Sequence, residues 1–254
     1  MDIHKPHAAK SWREFFIEIG TIVIGILIAL GLEQVIETIH WRHEAEEAEA
    51  SIDAEIESNA ASAYVRLAAF DCAEGQLDKI DAALVASRDH GQPVPLMAPY
   101  QRAPNAFSDD AWRAALSSGV ANHIPRDMLL NYSKVYVFVL DQRDNMVPHD
   151  LEAMDRLNTL TVNAGRLQPA ERDRLFQALV FARRNVFQGA FSAYNLLQNA
   201  ETVGITISPK DRAESLAVAR RNYGACAHEP VPISDMYRLY YANFGNGGPL
   251  VQPK

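Results

Sequence analysis

Apolar residues run almost unbroken from Phe15 to Leu32, and Glu18 is the one charge among them. Read as a helix, residues 15–36 cover roughly 33 Å, enough for a hydrocarbon core of about 30 Å. Trp12 and Trp41 bracket the run. Their separation corresponds to roughly 43 Å along a helix, close to the spacing of the two interfacial belts in which indoles concentrate. Within the run, Glu18, Ile22, Gly25, Ala29 and Leu32 recur at alternating steps of four and three. The series extends through Ile36, Ile39 and His43, the repeat of a coiled-coil seam. Gly25 and Ala29 make the small-xxx-small pair that lets two membrane helices approach closely. Glu18 on this seam faces a partner helix on one reading. On the other it marks the cytoplasmic edge of the span.

The helical spacing does not stop at the membrane. Ile52, Ile56, Ala60, Ala63, Leu67, Phe70, Leu77, Ile80 and Leu84 keep a 3–4 rhythm with one longer step near Ala73. This predicts a single helix running to about Arg88, with Gly91 just past its end and Gly75 as the place for a kink. Pro93, Pro95, Pro99 and Pro104 make 91–108 a loop. Ser108 is placed to cap a short helix ending at Gly119. After Pro125, the run VYVFVL is apolar enough for a strand, but Met128, Leu129, Tyr132, Val135, Tyr136, Val139 and Leu140 have helical spacing. The prediction there is a helix that breaks at Pro148 and resumes over 150–160. Gln168-Pro169 opens another helix, with Leu175, Phe176, Leu179, Val180, Phe187, Phe191, Tyr194 and Leu197 on its apolar side. Ser208-Pro209 starts the last, which stops at Gly224. No alternating pattern persists. The expected fold class is all-α, a transmembrane helix continuing into a long helix and then an extracytoplasmic helical bundle. Its expected segments are a cytoplasmic tail (1–14), the span (15–36), the juxtamembrane helix (37–90), the Pro-rich loop (91–108), the bundle (109–226) and a C-terminal tail (227–254).

Charge sets the orientation and narrows the partners. Lys5, Lys10 and Arg13 precede the span, whereas Arg42 is the only basic residue from Glu33 to Val65. The positive-inside rule then keeps the N-terminus in the cytoplasm of a bacterial inner membrane and places the bulk of the chain in the periplasm. A cleaved signal peptide is the rival reading, with Ala29-Leu30-Gly31 as its site. Against it, the helical pattern runs through that site, and Glu18 interrupts the apolar region. The first 32 residues balance to zero, so the remainder carries the whole net charge of -8. An acidic domain without a basic stripe does not suit a phosphate backbone, and nucleic acid is not an expected partner.

The head of the chain resembles a family of short bacterial single-pass membrane proteins without an assigned activity. The carriers are Trp12-Arg13-Glu14-Phe15, the IGxxxALxxEQ pattern over 24–34 and His40-Trp41-Arg42. Farther on, Trp112 and Ser118-Gly119 supply a W-x-x-x-x-x-S-G element similar to one in such proteins. The resemblance implies the tethered architecture and no mechanism.

Candidate chemistry is sparse. Cys72 and Cys226 are the only cysteines. In an oxidising compartment they would form a disulfide tying the long helix to the C-terminus, and the alternative is two unrelated buried thiols. His40, His43, Glu44 and Glu47 line one face of the helix just outside the bilayer, where imidazole and carboxylate suit a divalent metal. A lone helix supplies at most two well-placed ligands, so the alternative is a solvated belt of His–Glu pairs. The acidic run from Glu44 to Glu57 reads as a solvated helix face, and the GNGG over 245–248 lacks the strand and helix of a nucleotide-binding turn. No nucleophile elbow, phosphate loop or H-E-x-x-H pattern is present, His123 and His149 have no identifiable nucleophile, and no cofactor is expected. The expected function is a membrane-anchored interaction protein that meets the bilayer and a second copy or another membrane protein. A ligand-sensing module acting through a partner is the alternative, and an enzyme without a recognisable motif is third.

Overall fold

The computed structural model describes residues 12–101, 106–162, 165–235 and 238. The Tyr237, Tyr240 and Tyr241 cluster, the GNGG segment and the basic residues ahead of Trp12 lie outside them. Among the described residues the protein is 82% helical with no strands, an all-α fold. Seven α-helices are present among the described residues: α1 (Trp12–Ala68), α2 (Phe70–His90), α3 (Asp110–Ser118), α4 (Arg126–Leu140), α5 (Val147–Leu157), α6 (Pro169–Glu201) and α7 (Pro209–Tyr223).

Helices α1 and α2 form one near-continuous rod from Trp12 to His90. Its first part is long and apolar enough to cross a membrane, and the most apolar stretch is not buried against the rest of the protein at all. The two hydroxyls in this region are satisfied within the helix, Thr21 Oγ1 donating to the Ile17 carbonyl at 2.8 Å and Thr38 Oγ1 to that of Gln34 at 2.7 Å. Such bonds remove the cost of a hydroxyl in lipid. Burial begins at Ala45, and Ile52 and Ile56 are fully buried. The same helix is thus an exposed apolar rod at one end and the spine of a core at the other.

The rod is jointed at Ala69 and not at Gly75, which lies inside α2. A glycine costs helix stability, but without a packing force to bend it the helix runs on. At Ala69 the backbone turns (φ -90°, ψ 0°), and the Cys72 amide bonds to the Ala69 carbonyl at 3.1 Å. The Ala68 carbonyl, which Cys72 would have taken in a continuous helix, accepts instead from the backbone amide of His228 at 3.2 Å. Helix α2 ends at Gly91, whose left-handed φ of 63° lets its amide reach back to the Ala86 carbonyl.

Helix α6 lies along both parts of the rod and carries α4 and α5, which reach α1 through side-chain bonds. The buried face of α6 is made of Ala178, Ala182, Gly189, Ala190 and Ala193 together with Leu175, Leu179 and Leu196. Of the apolar side expected from sequence, Leu175 and Leu179 are buried and Phe176, Tyr194 and Leu197 pack against the core, whereas Val180 and Phe191 are exposed. Small residues allow α6 to lie close to α1, and that proximity decides which stripe faces inward. Between α4 and α5 the chain widens into a π-helical turn, Asp141–Met146, and the helix passes Pro148 without the expected break. Proline has no amide to give and clashes with the carbonyl four residues back. The wider turn, in which the Val147 amide reaches the Gln142 carbonyl, removes that conflict. Helix α5 ends at Leu157 and a 3-10 turn carries the chain through Thr161.

The described part of the Pro-rich loop is pinned at several points. Val94 and Gly165 exchange two backbone bonds of 2.8 Å, Met97 donates to the Leu160 carbonyl, and Tyr100 donates to Asn158 Oδ1 at 2.7 Å. The bonds of Val94 and Tyr100 satisfy amides that the prolines next to them leave without a helix partner.

Candidate functional site

Three constellations concentrate the protein's polar chemistry, and all are built on the rod. The deepest is a polar seam where α1, α5 and α6 meet. Arg66 Nη2 donates to Asp150 Oδ2 at 2.6 Å, each side chain only 3% exposed. The guanidinium lies flat on Gly189 of α6; a Cβ there would stand 2.5 Å from its Cζ and Nε. Gln142, in the π-helical turn, donates to the Gly189 carbonyl at 2.6 Å. Tyr100 is buried beside the pair, and its hydroxyl is held neutral, first by burial and then by the Asp150 carboxylate. Asn185, four residues before Gly189, and Ser192, three after, are buried on the same helix. Neither Asn185 amide atom has a hydrogen-bond partner, and the same holds for Gln142 Oε1 and Ser192 Oγ.

A second constellation holds α3 to the rod. Burial pushes the Glu55 carboxyl up, but bonds from the Tyr136 hydroxyl, the Ala111 amide, the Ser108 hydroxyl and the Trp112 amide outweigh it, so the carboxyl sits below its usual range. The Tyr136 bond is 2.6 Å and the two amide bonds are 3.1 and 3.3 Å. Glu55 therefore satisfies first-turn donors of α3, where a negative charge is favoured by the helix dipole. Asn59 clasps Ser108 from both sides, accepting from its amide and donating to its carbonyl. Helix α3 begins one residue later than expected, with Asp109 at the cap position and Ser108 Oγ accepting from the Asp110 amide. Trp112 stacks on Tyr136 at 5.0 Å. The Trp112–Gly119 element is thus a docking segment for α1, and Gly119 at φ 83° supplies its exit turn.

The third lies where the apolar end of α1 gives way to the bundle. Trp41 stacks on His123 with ring centroids 4.3 Å apart and planes nearly parallel. An open cavity of about 630 Å³ lies beside this pair, bordered by Gln34, Arg42, Glu46 and Pro125. His40 and His43 do not converge. His40 lies 3.9 Å from Glu44 and His43 lies 3.2 Å from Glu47, as two separate exposed i,i+4 pairs. Among the described residues no group of three or more His, Cys, Asp or Glu is placed to hold a metal. The Glu18, Ile22, Gly25, Ala29 and Leu32 seam faces outward along its length, and a Cβ added at Gly25 would meet nothing within 4 Å. Trp12 is 77% exposed at the start of the rod.

The two cysteines, far apart in sequence, are brought together: Cys72 and Cys226 form a disulfide with Cα atoms 5.2 Å apart. Two further contacts of the C-terminal segment with the rod lie nearby, His228 Nε2 to Asp71 at 2.6 Å and the Tyr64 hydroxyl donating to Glu229. A further charged cluster, absent from the sequence-level expectations, centres on Arg183 of α6, which meets Glu74 at 3.4 Å and Asp78 at 2.6 Å. Burial pushes the Glu74 carboxyl up to about 7, with Arg183 opposing it.

Comparison with protein-family models, with characterised proteins and with solved structures finds no match to this chain.

Proposed function

We propose that this chain is an interaction protein of the bacterial envelope. On this reading the apolar end of α1 spans the inner membrane with its N-terminus in the cytoplasm. The seam of Glu18, Ile22, Gly25, Ala29 and Leu32 packs against a second transmembrane helix, from another copy or from a different membrane protein. The helical bundle stands on the periplasmic side and docks an envelope component.

The observation that carries the reading is the continuity of α1. One helix holds an apolar face exposed from Phe15 to Ile39 and, a few turns on, fully buried core residues at Ile52 and Ile56. An exposed apolar face of this length favours membrane and partner contact, and a rigid helix conveys any contact to the bundle. The resemblance of the head to bacterial single-pass proteins supports the same architecture. Cysteine crosslinking in native membranes tests it, with Gly25→Cys forming a disulfide-linked species and Ile24→Cys, off the seam, forming none. Absence of any crosslinked species at 25 defeats the assembly reading.

A second reading has its own observation. The unpaired polar atoms of Asn185, Gln142 and Ser192 lie inside the bundle, beside a π-helical turn of the kind often found at functional sites. They suit a bundle that binds a small polar ligand and passes its occupancy along the rod. Thermal stabilisation of the purified protein by a metabolite library, lost on Asn185→Leu, would favour this alternative.

A further inference from the structure

Helix α7 is attached differently from the rest of the bundle. It packs chiefly on α1, and only Ser215, Leu216 and Ala219 of its fifteen residues are buried. Its apolar contacts form a small cluster of their own with Tyr64, Val65, Ala68, Cys72 and Ala227, separate from the main core. Open cavities of about 680 and 610 Å³ flank the helix, one touching Leu216 and Glu229, the other Val65 and Ser215. A helix of this length is marginal without tertiary support. What holds α7 and the segment after it is therefore concentrated at one place, the Ala69 joint. There the Cys72–Cys226 disulfide, the His228 amide on the Ala68 carbonyl, and the Tyr64–Glu229 contact meet. The two halves of the disulfide differ in access: Cys72 is 2% exposed, whereas Cys226 is solvent-facing.

We propose that this disulfide is a thiol–disulfide exchange site for an external dithiol, and that opening it unclasps α7 and residues 224–229 from the joint of the rod. A thiolate of the dithiol attacks Cys226 Sγ and forms a mixed disulfide with it. The Cys72–Cys226 bond breaks, and its electron pair leaves on Cys72 Sγ, which takes a proton. The second thiol of the reductant then attacks its own partner sulfur in the mixed disulfide and releases Cys226 as a thiolate. The dithiol ends oxidised to a disulfide and the protein holds two reduced cysteines. Access directs the attack, since exchange requires the incoming thiolate to reach the sulfur it displaces. Unclasping bares Tyr64, Val65 and Ala68 and leaves the Ala68 carbonyl without its amide. The long helix can then hinge at Ala69 while the main core stays folded. The inference is independent of what the anchor meets in the membrane.

The test uses the full chain in detergent. Limiting glutathione followed by acid quench and peptide mass mapping reads the attacked sulfur, and the expected adduct is on Cys226. An adduct on Cys72, or no exchange short of unfolding, overturns the proposal. Amide exchange after treatment with dithiothreitol reads the consequence, with at least a tenfold loss of protection expected in 209–229 and none in α4 and α6. Unchanged α7, or equal loss in every helix, overturns it too, the latter because the disulfide would then be a general staple. Cys226→Ser reproduces the opened pattern without reductant.

Discussion

Replacing Gly189 by alanine should destabilise the protein, although helix propensity alone predicts a gain of about 1 kcal/mol in the interior of a helix. The opposition of sign makes the substitution informative. A Cβ at 189 would stand 2.5 Å from both Cζ and Nε of Arg66 and nearer still to Nη2. A surface arginine would swing away at little cost. Arg66 is held by Asp150 at 2.6 Å with 3% exposure, so moving its guanidinium means parting a buried ion pair. Disrupting such a pair costs roughly 3–5 kcal/mol, because a charge is left buried without compensation. For a chain of this size that corresponds to a fall in Tm of about 10 °C, at roughly 2–4 °C per kcal/mol. Thermal melts of Gly189→Ala by circular dichroism in detergent measure it. In an Arg66→Met, Asp150→Leu background, where no guanidinium remains, adding the alanine should cost under about 1 kcal/mol. A single variant that melts at or above the parent would refute the claim that Gly189 is required by the flat packing of Arg66.

Glu55→Ala should cost about 2–4 kcal/mol, since it leaves the Tyr136 hydroxyl and first-turn amides of α3 without their acceptor, and proteolysis should then nick 106–119 first. The Glu74 carboxyl, raised by burial from 4.5 to about 7, contributes stability that is fully present below its unfolded value and lost as pH rises through about 7. The loss is about 3 kcal/mol, and Glu74→Gln should flatten the stability profile between those values in denaturant titrations. Bonds to the Glu229 carbonyl and Asp71 hold the His228 imidazole above its usual 6.5. Its contribution is complete below that pH and fades as pH passes the raised value, so residues 224–229 should exchange amides faster at about pH 8 than at about pH 6 after correction for intrinsic rates. His228→Gln should abolish that difference.

The membrane-length helix, the all-α class and most helix ends were legible in the sequence because they depend on local rules. Unbroken apolar runs, 3–4 spacing, Pro169 and Pro209 at first turns and Gly91 past an end act within a few residues of themselves. Helical spacing also settled the VYVFVL run against its strand-like composition. The two cysteines were visible as a candidate pair because there are only two.

Tertiary contact decided the rest. The inward face of α6 joins the expected Leu175 and Leu179 to a stripe of small residues, since closeness to α1 favours Ala182, Gly189 and Ala193 there and leaves Phe191 and Val180 exposed. The bend in the rod sits at Ala69, where the His228 amide can take the freed carbonyl, and not at Gly75, where flexibility alone gives no reason to bend. Pro148 ends no helix because a wider turn absorbs its conflict. Arg66 and Asp150, Glu55 and the α3 amides, and Arg183 with Glu74 are partners separated by dozens of residues, and nothing local to either member marks the match. Periodicity tells each residue which side of its own helix it is on. Which helix lies opposite, and so whether a buried charge finds its counterpart, is settled only when the helices pack.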